Sequence, residues 1–190
     1  EIKESYKCLQ KFGKCLRLFP KQVFSMTMRS SKKIIKDRCD TEKGRKEFLK
    51  HTQCLSIPEI YDFNRCVDKG VIIMKYVAAN ASTEELIPAV CCAFQEIADC
   101  LKHKGDEYCL EKTGPTTGNY IAGIARTVAK DLIELSCGER TSTQNCRKIE
   151  PKWMKKFAQL GTPFSKIKPQ KNSFFNPLIK LSERLDSPVR

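Results

Sequence analysis

The sequence predicts an all-α protein, a disulfide-stabilised helical bundle of about five to six helices. Apolar residues recur every three or four positions along most of the chain, which is the period of an amphipathic helix. No convincing stretch alternates between apolar and polar residues, as a half-buried strand would. Eleven of the 190 residues are cysteines, a usage typical of disulfide-bonded proteins in oxidising compartments.

The first three helices are predicted in the N-terminal third of the chain. The first carries an apolar stripe of Leu9, Phe12, Leu16 and Phe19. Pro20 is expected to close it, because proline cannot continue a helix in its interior. A second helix is predicted over about 21–38. Asp40 and Thr41 can cap a third, whose apolar residues are Phe48, Leu49 and Leu55.

Two capping signals predict the starts of the next two helices. Ser56 lies three residues before Glu59, with Pro58 in the first turn, as in a capping box. The apolar stripe that follows consists of Ile60, Phe63, Val67, Val71 and Met74. Ser82 and Glu85 repeat the signal. They open a helix with Leu86, Val90, Phe94, Ile97 and Leu101 on one side.

The last helix of the cysteine-containing region is predicted from Gly118 to Cys137, and Gly138 is its stop signal. Its apolar residues are Ile121, Ile124, Val128, Leu132 and Leu135. A short helix can begin at Asn176 and Pro177, with Leu178, Leu181 and Leu185 on one side.

Charge and cysteines divide the chain into two predicted parts. Residues 1–146 hold every cysteine and are expected to form a disulfide-bonded helical domain. Residues 147–190 are expected to form a basic, cysteine-free tail, partly helical or flexible. Residues 1–39 and 147–190 each contain 11 Lys and Arg against 3 Asp and Glu, a net charge of +8, whereas 40–146 carries −3.

The pairing of the cysteines does not follow from the sequence, but three local expectations do. Cys8 and Cys15 share one helix face and can anchor the first helix to a single neighbour. Cys91 and Cys92 point about 100° apart, so they are expected to bind two different partners. The odd total leaves one cysteine over, either buried and free or paired in a disulfide-linked homodimer or with a partner chain. The eleven are Cys8, Cys15, Cys39, Cys54, Cys66, Cys91, Cys92, Cys100, Cys109, Cys137 and Cys146.

Known catalytic and metal-binding patterns are missing from the sequence. The spacings of the non-adjacent cysteines do not match structural zinc sites. Secreted phospholipases have a His-Asp pair soon after adjacent cysteines, and none follows Cys91-Cys92 here. The two histidines, His51 and His103, lie in Lys-rich segments and are interpreted as surface residues. We therefore expect no catalytic residue, no cofactor and no metal site.

A secreted protein is predicted from the cysteine content and from the start of the chain. The chain opens on Glu1 without a Met or an apolar leader, which we interpret as a mature form. Asn80-Ala81-Ser82 is an N-glycosylation acceptor sequence between two predicted helices. Asn80 is therefore a candidate glycosylation site, or only a turn residue.

The basic tail is a candidate polyanion-binding surface. The candidate binding residues are six of the lysines in the tail: Lys152, Lys155, Lys156, Lys166, Lys168 and Lys171. They are interleaved with Trp153, Phe157, Phe164, Phe174 and Phe175, and basic segments with aromatic residues bind polyanions or anionic membranes. Alternatively, the aromatic rings pack on the rest of the protein while the lysines stay in water. Secretion argues against nucleic acid as the partner.

One family resemblance comes from the cysteine order. The run from Cys91-Cys92 to Cys100, then Cys109, then an amphipathic helix ending at Cys137, resembles arthropod secreted cysteine-rich helical proteins of the insect haemolymph glycoprotein type. The resemblance covers residues 39–146 and implies an extracellular, all-helical, non-enzymatic protein of body fluids or gland secretions. The basic tail departs from that pattern.

Three functions follow as hypotheses. The first is a secreted, non-enzymatic binding protein of the venom, gland or haemolymph type. Its cationic face would bind an acidic partner: a receptor or other acidic protein, a glycosaminoglycan or a membrane surface. The second is a carrier of a small hydrophobic ligand in a pocket of the helical body. The third is a secreted hydrolase, which would depend on His51 or His103.

Overall fold

The computed structural model describes residues 2–16, 18–171 and 175–186, and this part of the chain is almost entirely helical, with no strand. The all-α prediction is confirmed. The helices are α1 (Ile2–Lys14), α2 (Leu18–Ile35), α3 (Glu42–Thr52), α4 (Ile57–Asn80), α5 (Thr83–Thr113), α6 (Thr117–Ser136), α7 (Thr143–Ile149), α8 (Pro151–Gln159) and α9 (Phe175–Asp186). Lys36–Asp40 form a π-helical segment and Phe164–Lys166 a 3-10 turn.

The described residues contain nine α-helices rather than five to six. Helix α9 corresponds to the short helix expected at Asn176 and Pro177, and the two helices that were not expected are α7 and α8. The Ser142 hydroxyl accepts the N–H of Asn145 and so begins α7, while Pro151 occupies the first turn of α8. The same residue types that break a helix interior therefore start these two helices.

Pro20 does not end the first helix. Helix α1 ends at Lys14, α2 begins at Leu18, and Pro20 lies in the first turn of α2. Proline is tolerated there because the first N–H groups of a helix have no partner within the helix. The two predicted capping boxes, at Ser56 and Ser82, are both present.

Helix α5 is the centre of the fold, in contact with α4, α6, α7, α8 and α9. It approaches α6 most closely where Gly105 faces Gly118. A Cβ atom on Gly105 would lie 2.6 Å from the Cα of Gly118, and one on Gly118 would lie 2.2 Å from the Lys102 carbonyl oxygen. Neither position has room for a side chain, so these two glycines set the distance between the two helices.

The main core joins α4 and α5 to the C-terminal helices. Trp153 and Phe157 of α8 and Leu181 of α9 are buried in one cluster with Met74 and Leu86. Aromatic residues of the predicted tail therefore pack against the cysteine-containing region. The domain boundary after residue 146 remains a prediction, Phe174 lies outside the described residues, and the side chain of Phe175 is not described.

Polar contacts also fix the C-terminal segment to α4. The backbone N–H of Gln170 donates to Asp68 Oδ1 at 2.8 Å, and Lys75 Nζ donates to Gln170 Oε1 at 3.0 Å. Further on, the Arg184 guanidinium donates to the carbonyl oxygens of Ala78 and Ala81 at 2.7 and 2.8 Å. These carbonyls lie at and just beyond the end of α4, where no helical N–H follows to bond them. Arg184 thus caps α4 from another helix.

Four disulfides cross-link the fold: Cys54–Cys109, Cys66–Cys100, Cys91–Cys137 and Cys92–Cys146. The adjacent cysteines of α5 bind two different segments, as expected. Cys8, Cys15 and Cys39 are unpaired and exposed, so three thiols remain rather than one. The predicted double attachment of α1 through Cys8 and Cys15 is therefore wrong. The four disulfides are consistent with an oxidising, extracellular setting.

Candidate functional site: an apolar cavity between five helices

An apolar cavity of about 170 Å³ lies between α2, α4, α5, α6 and α9. None of its lining residues carries a charge. The lining consists of Phe19, Val23, Thr27, Met74, Leu86, Ile87, Val90, Cys91, Phe94, Val128, Ala129, Leu132, Ile133, Ser136, Cys137, Leu178, Leu181, Ser182 and Leu185. Residues from both ends of the chain thus share one site with residues of the middle.

Helical spacing explains why these side chains converge. On α2, Phe19, Val23 and Thr27 are four residues apart and lie along one face. On α6, Ala129 and Ser136 supply short side chains among larger ones, and this leaves space that longer side chains would fill. The Cys91–Cys137 disulfide is part of the wall and ties α5 to the end of α6.

The hydroxyl groups in the wall do not make it polar. Thr27 Oγ1 donates to the Val23 carbonyl oxygen at 3.0 Å, and Ser182 Oγ donates to the Ile179 carbonyl oxygen at 2.7 Å. Each hydroxyl is therefore satisfied within its own helix. Ser136 is exposed, and the side chains of Phe19 and Ile87 are partly exposed. These three residues therefore form the rim of the cavity.

The sequence predicts the helices that line the cavity but not which of their residues form its wall. Phe19, Phe94 and Met74, which all belong to predicted apolar stripes, line the cavity. The small residues that create the space were missed, because Ala129 and Ser136 look like ordinary helix residues. Leu135, by contrast, belongs to the predicted apolar stripe of α6 but is 76% exposed.

His51 is buried rather than on the surface. Its Nε2 lies 2.9 Å from Glu47 Oε1, and its Nδ1 lies 3.4 Å from Thr116 Oγ1. The ring stacks on Tyr120 at 4.3 Å between centroids, and Thr117 Oγ1 donates to the His51 carbonyl oxygen at 3.1 Å. The hydrogen bond to His51 lowers the pKa of Glu47. These contacts join α3 to the start of α6.

His103 is exposed, as expected. It lines an open polar cleft with Lys69, Glu96, Asp99 and Arg147, whereas His51 lies between α3 and α6. Lys69 Nζ lies 3.3 Å from Glu96 Oε2 in this cleft, and Arg126 bonds Asp99 at 3.3 Å. The two histidines therefore do not share one site.

The α4–α5 contact contains an ionic cluster around Asp62. Burial raises the pKa of Asp62, but hydrogen bonds from Tyr108 and Arg65 outweigh it and hold the pKa below its usual value. Burial and the bond to Asp62 raise the pKa of Tyr108. Burial lowers the pKa of Lys104, whereas bonds to Glu107 and Tyr108 raise it, and the net pKa is raised. At neutral pH Asp62 is therefore ionised, Lys104 is charged and Tyr108 stays neutral, and their contacts link the two helices.

The six lysines of the predicted polyanion-binding surface differ in their surroundings. Lys152 Nζ bonds Glu85 Oε1 at 2.8 Å, which raises the pKa of Lys152, and Lys156 Nζ lies 5.0 Å from the Tyr76 ring centre. Lys156 is half-buried, whereas five are exposed: Lys152, Lys155, Lys166, Lys168 and Lys171. In addition, α2 packs against α9, so the N-terminal and C-terminal basic segments meet in the fold.

Asn80 is the last residue of α4 and is exposed. Its Nδ2 donates to the Tyr76 carbonyl oxygen at 2.8 Å. Ser82, the third residue of the acceptor sequence, caps α5. The candidate glycosylation site thus lies at the turn between the two longest helices.

The part of the chain covered by the structure contains no cluster of His, Cys, Asp and Glu that could hold a metal ion. No helix in that part is long and apolar enough to cross a membrane. Comparison of the chain with protein-family models, with curated proteins and with solved structures finds no match.

Proposed function

We propose that the chain is a secreted, non-enzymatic carrier that binds a small hydrophobic ligand in the cavity between α2, α4, α5, α6 and α9. The single observation that carries this proposal is the apolar cavity of about 170 Å³ without a charged lining residue. Four disulfides favour an extracellular setting, and the resemblance to the insect haemolymph glycoprotein type agrees with a body fluid or gland secretion.

The volume of the cavity limits the size of the ligand. An engineered cavity of about 150 Å³ with Leu, Ile and Phe walls stays dry and binds benzene, whereas pockets for larger ligands start at about 300 Å³. A cavity of about 170 Å³ therefore accepts one aromatic ring or a short alkyl chain. Because Thr27 and Ser182 use their hydroxyls within their own helices, the buried part of the ligand needs no polar group.

Benzene is the simplest probe of this proposal. We expect it to raise the melting temperature of the full-length protein, because a ligand at ten times its Kd adds about 1.4 kcal/mol to the stability of the folded state. Ala129→Leu places a larger side chain in the cavity and should abolish the shift. Ala158→Leu makes the same change at an exposed position of α8, and benzene should still bind.

Two results would contradict the carrier proposal. One is an unchanged melting temperature at benzene saturation, with no heat of binding in calorimetry. The other is an equal shift in Ala129→Leu, which would place benzene elsewhere on the protein. Far-UV circular dichroism of both variants checks that the helices are retained.

A second candidate function is binding of a polyanion at a cationic face. The observation that favours it is the packing of α2 against α9, which brings the N-terminal basic segment into contact with the C-terminal one. The partner would be an acidic protein, a glycosaminoglycan or an anionic membrane, rather than a nucleic acid. A glycan at Asn80 is compatible with either function, because Asn80 is exposed.

Heparin chromatography tests the cationic face. Replacing Lys155, Lys166 and Lys168 by Gln should lower the salt concentration of elution clearly. A control with the same loss of charge replaces three lysines of α3, Lys43, Lys46 and Lys50, and should change elution little. Equal shifts in both triple variants would mean that only net charge matters and would remove this candidate.

A further inference from the structure

The three unpaired thiols all lie in the N-terminal basic segment, outside the disulfide-bonded core. Cys8, Cys15 and Cys39 are exposed, while the other eight cysteines are paired. In an oxidising compartment exposed thiols are converted to disulfides. The geometry of α1 decides which disulfides Cys8 and Cys15 can form.

Cys8 and Cys15 cannot bond each other within one chain. The backbone N–H of Cys15 donates to the Phe12 carbonyl oxygen at 3.0 Å, so Cys15 continues the last turn of α1. Seven residues of helix rise by about 10 Å, whereas the Cα atoms of a disulfide lie within about 7 Å. Joining these two thiols would require unwinding the helix.

Cys39 is also out of reach. Tyr6 Oη donates to the Met28 carbonyl oxygen at 3.2 Å, and the Phe12 and Phe24 ring centres are 5.8 Å apart. This antiparallel register places Cys8 beside the middle of α2, and Cys39 follows beyond the end of that helix, roughly 15 Å away along its axis. The thiols of α1 therefore have no disulfide partner within the same chain.

The same contacts show that both thiols of α1 point away from the fold. Tyr6 and Gly13 face α2, since Tyr6 bonds Met28 and a Cβ atom on Gly13 would contact the Phe24 ring. Cys8 and Cys15 lie about 20° apart on the other side of the helix. Phe12 lies between them in sequence and is 45% exposed, although it touches Phe24. The outer face of α1 thus presents a thiol, an aromatic ring and a thiol.

We propose that this outer face binds the same face of a second copy of the chain. The two α1 helices are antiparallel and are joined by two disulfides. Each disulfide links Cys8 of one copy to Cys15 of the other. A two-fold axis that passes between Lys11 and Phe12 relates the two helices, so Cys8 of each copy lies opposite Cys15 of the other. The same axis brings the two Phe12 rings together. This proposal is independent of the cavity.

The contact area explains why the pairing has to be covalent. Helix α1 has 13 residues and is about 20 Å long, so a single helix pair buries less than the roughly 1,000 Å² of a stable noncovalent interface. Lys7, Lys11 and Lys14 lie beside the thiols and repel the second copy. Salt screens this repulsion, so dimer formation should become faster as ionic strength rises.

Each disulfide forms by thiol–disulfide exchange with a small-molecule disulfide such as oxidised glutathione. The Cys8 thiolate attacks one sulfur of that disulfide, which breaks its S–S bond and releases one small thiolate. The Cys15 thiolate of the second copy then attacks the Cys8 sulfur and releases the other. The two protons lost by the cysteines go to the two released thiolates, and the small disulfide is the oxidant.

The test uses the full-length chain secreted by a eukaryotic host and kept without reductant. After enzymatic removal of any N-glycan, we expect a mass of twice 21.7 kDa that falls to 21.7 kDa on reduction. Trypsin should release the peptide Cys8–Lys11 disulfide-linked to the peptide Cys15–Arg17. The Cys8→Ser/Cys15→Ser variant should be monomeric, and the Cys39→Ser control should remain a dimer.

Four outcomes would overturn the proposal. The first is a monomer in which both thiols of α1 react with an alkylating reagent. The second is a monomer in which both thiols carry glutathione. A dimer lost in Cys39→Ser but kept in the double variant would place the link elsewhere. Tryptic peptides that join Cys8 to Cys8, or Cys15 to Cys15, would exclude the antiparallel arrangement.

Discussion

Replacing Phe157 by Ala tests whether α8 is part of the cooperative fold. Phe157 is fully buried, and its ring lies 6.0 Å from that of Trp153. A buried aromatic side chain hides at least about 150 Å², and about 25 cal/mol per Å² converts this to about 4 kcal/mol. That value lies within the 3–5 kcal/mol typical of such truncations. We therefore expect a loss of about 4 kcal/mol in the free energy of unfolding.

Urea unfolding of the disulfide-intact protein, followed by circular dichroism, measures this loss. The control is Phe48→Ala, because Phe48 is 41% exposed on α3 and its truncation should cost less than about 1 kcal/mol. A loss below about 1 kcal/mol for Phe157→Ala would contradict the packing of α8 into the cooperative core. It would mean that α8 can separate from α4 and α5 without unfolding them, so that residues 147–190 behave as an independent tail.

Three further predictions concern single interactions. Arg184→Ala should cost about 2 kcal/mol, because two carbonyl oxygens at the end of α4 lose a charged donor, while the exposed Lys180→Ala changes urea stability little. Because the folded pKa of Asp62 is lowered, its contribution to stability is complete above the unfolded value of about 4 and is lost as pH falls through the folded pKa. The free energy of unfolding should therefore fall less steeply with decreasing pH in Asp62→Asn than in the unchanged protein. An unchanged slope would contradict a stabilising role of the Asp62 carboxylate. Replacing Cys92 and Cys146 by Ala leaves Cys91–Cys137 in place, so it opens a loop of only roughly ten residues and should cost about 3 kcal/mol in urea unfolding.

Local structure was largely predictable from the sequence, because capping and amphipathic spacing act within a few residues. Ser56 and Ser82 start α4 and α5 as predicted. Pro20 shows the limit of that reasoning, since a proline stops one helix or starts the next depending on where the neighbouring turn ends. Helices α7 and α8 were missed for a similar reason, because their first residues are also common in loops.

The candidate site was much less predictable. The basic and apolar residues could be named, but the cavity exists only because Phe19, Ala129 and Leu181 come from segments far apart in sequence. His51 was expected on the surface because its neighbours in sequence are polar. It is buried because α6 packs over it and supplies Thr116 and Tyr120 as contacts.

The helical class, the start of most helices and the apolar face of each follow from local sequence. These depend on backbone hydrogen bonding and on residues three or four positions apart. Local sequence does not show which cysteines pair or which three remain as exposed thiols. The burial of Trp153 and Phe157 and the cavity between five helices also arise only when the helices pack together. Those features depend on distances between residues far apart in the chain, and helix packing sets such distances.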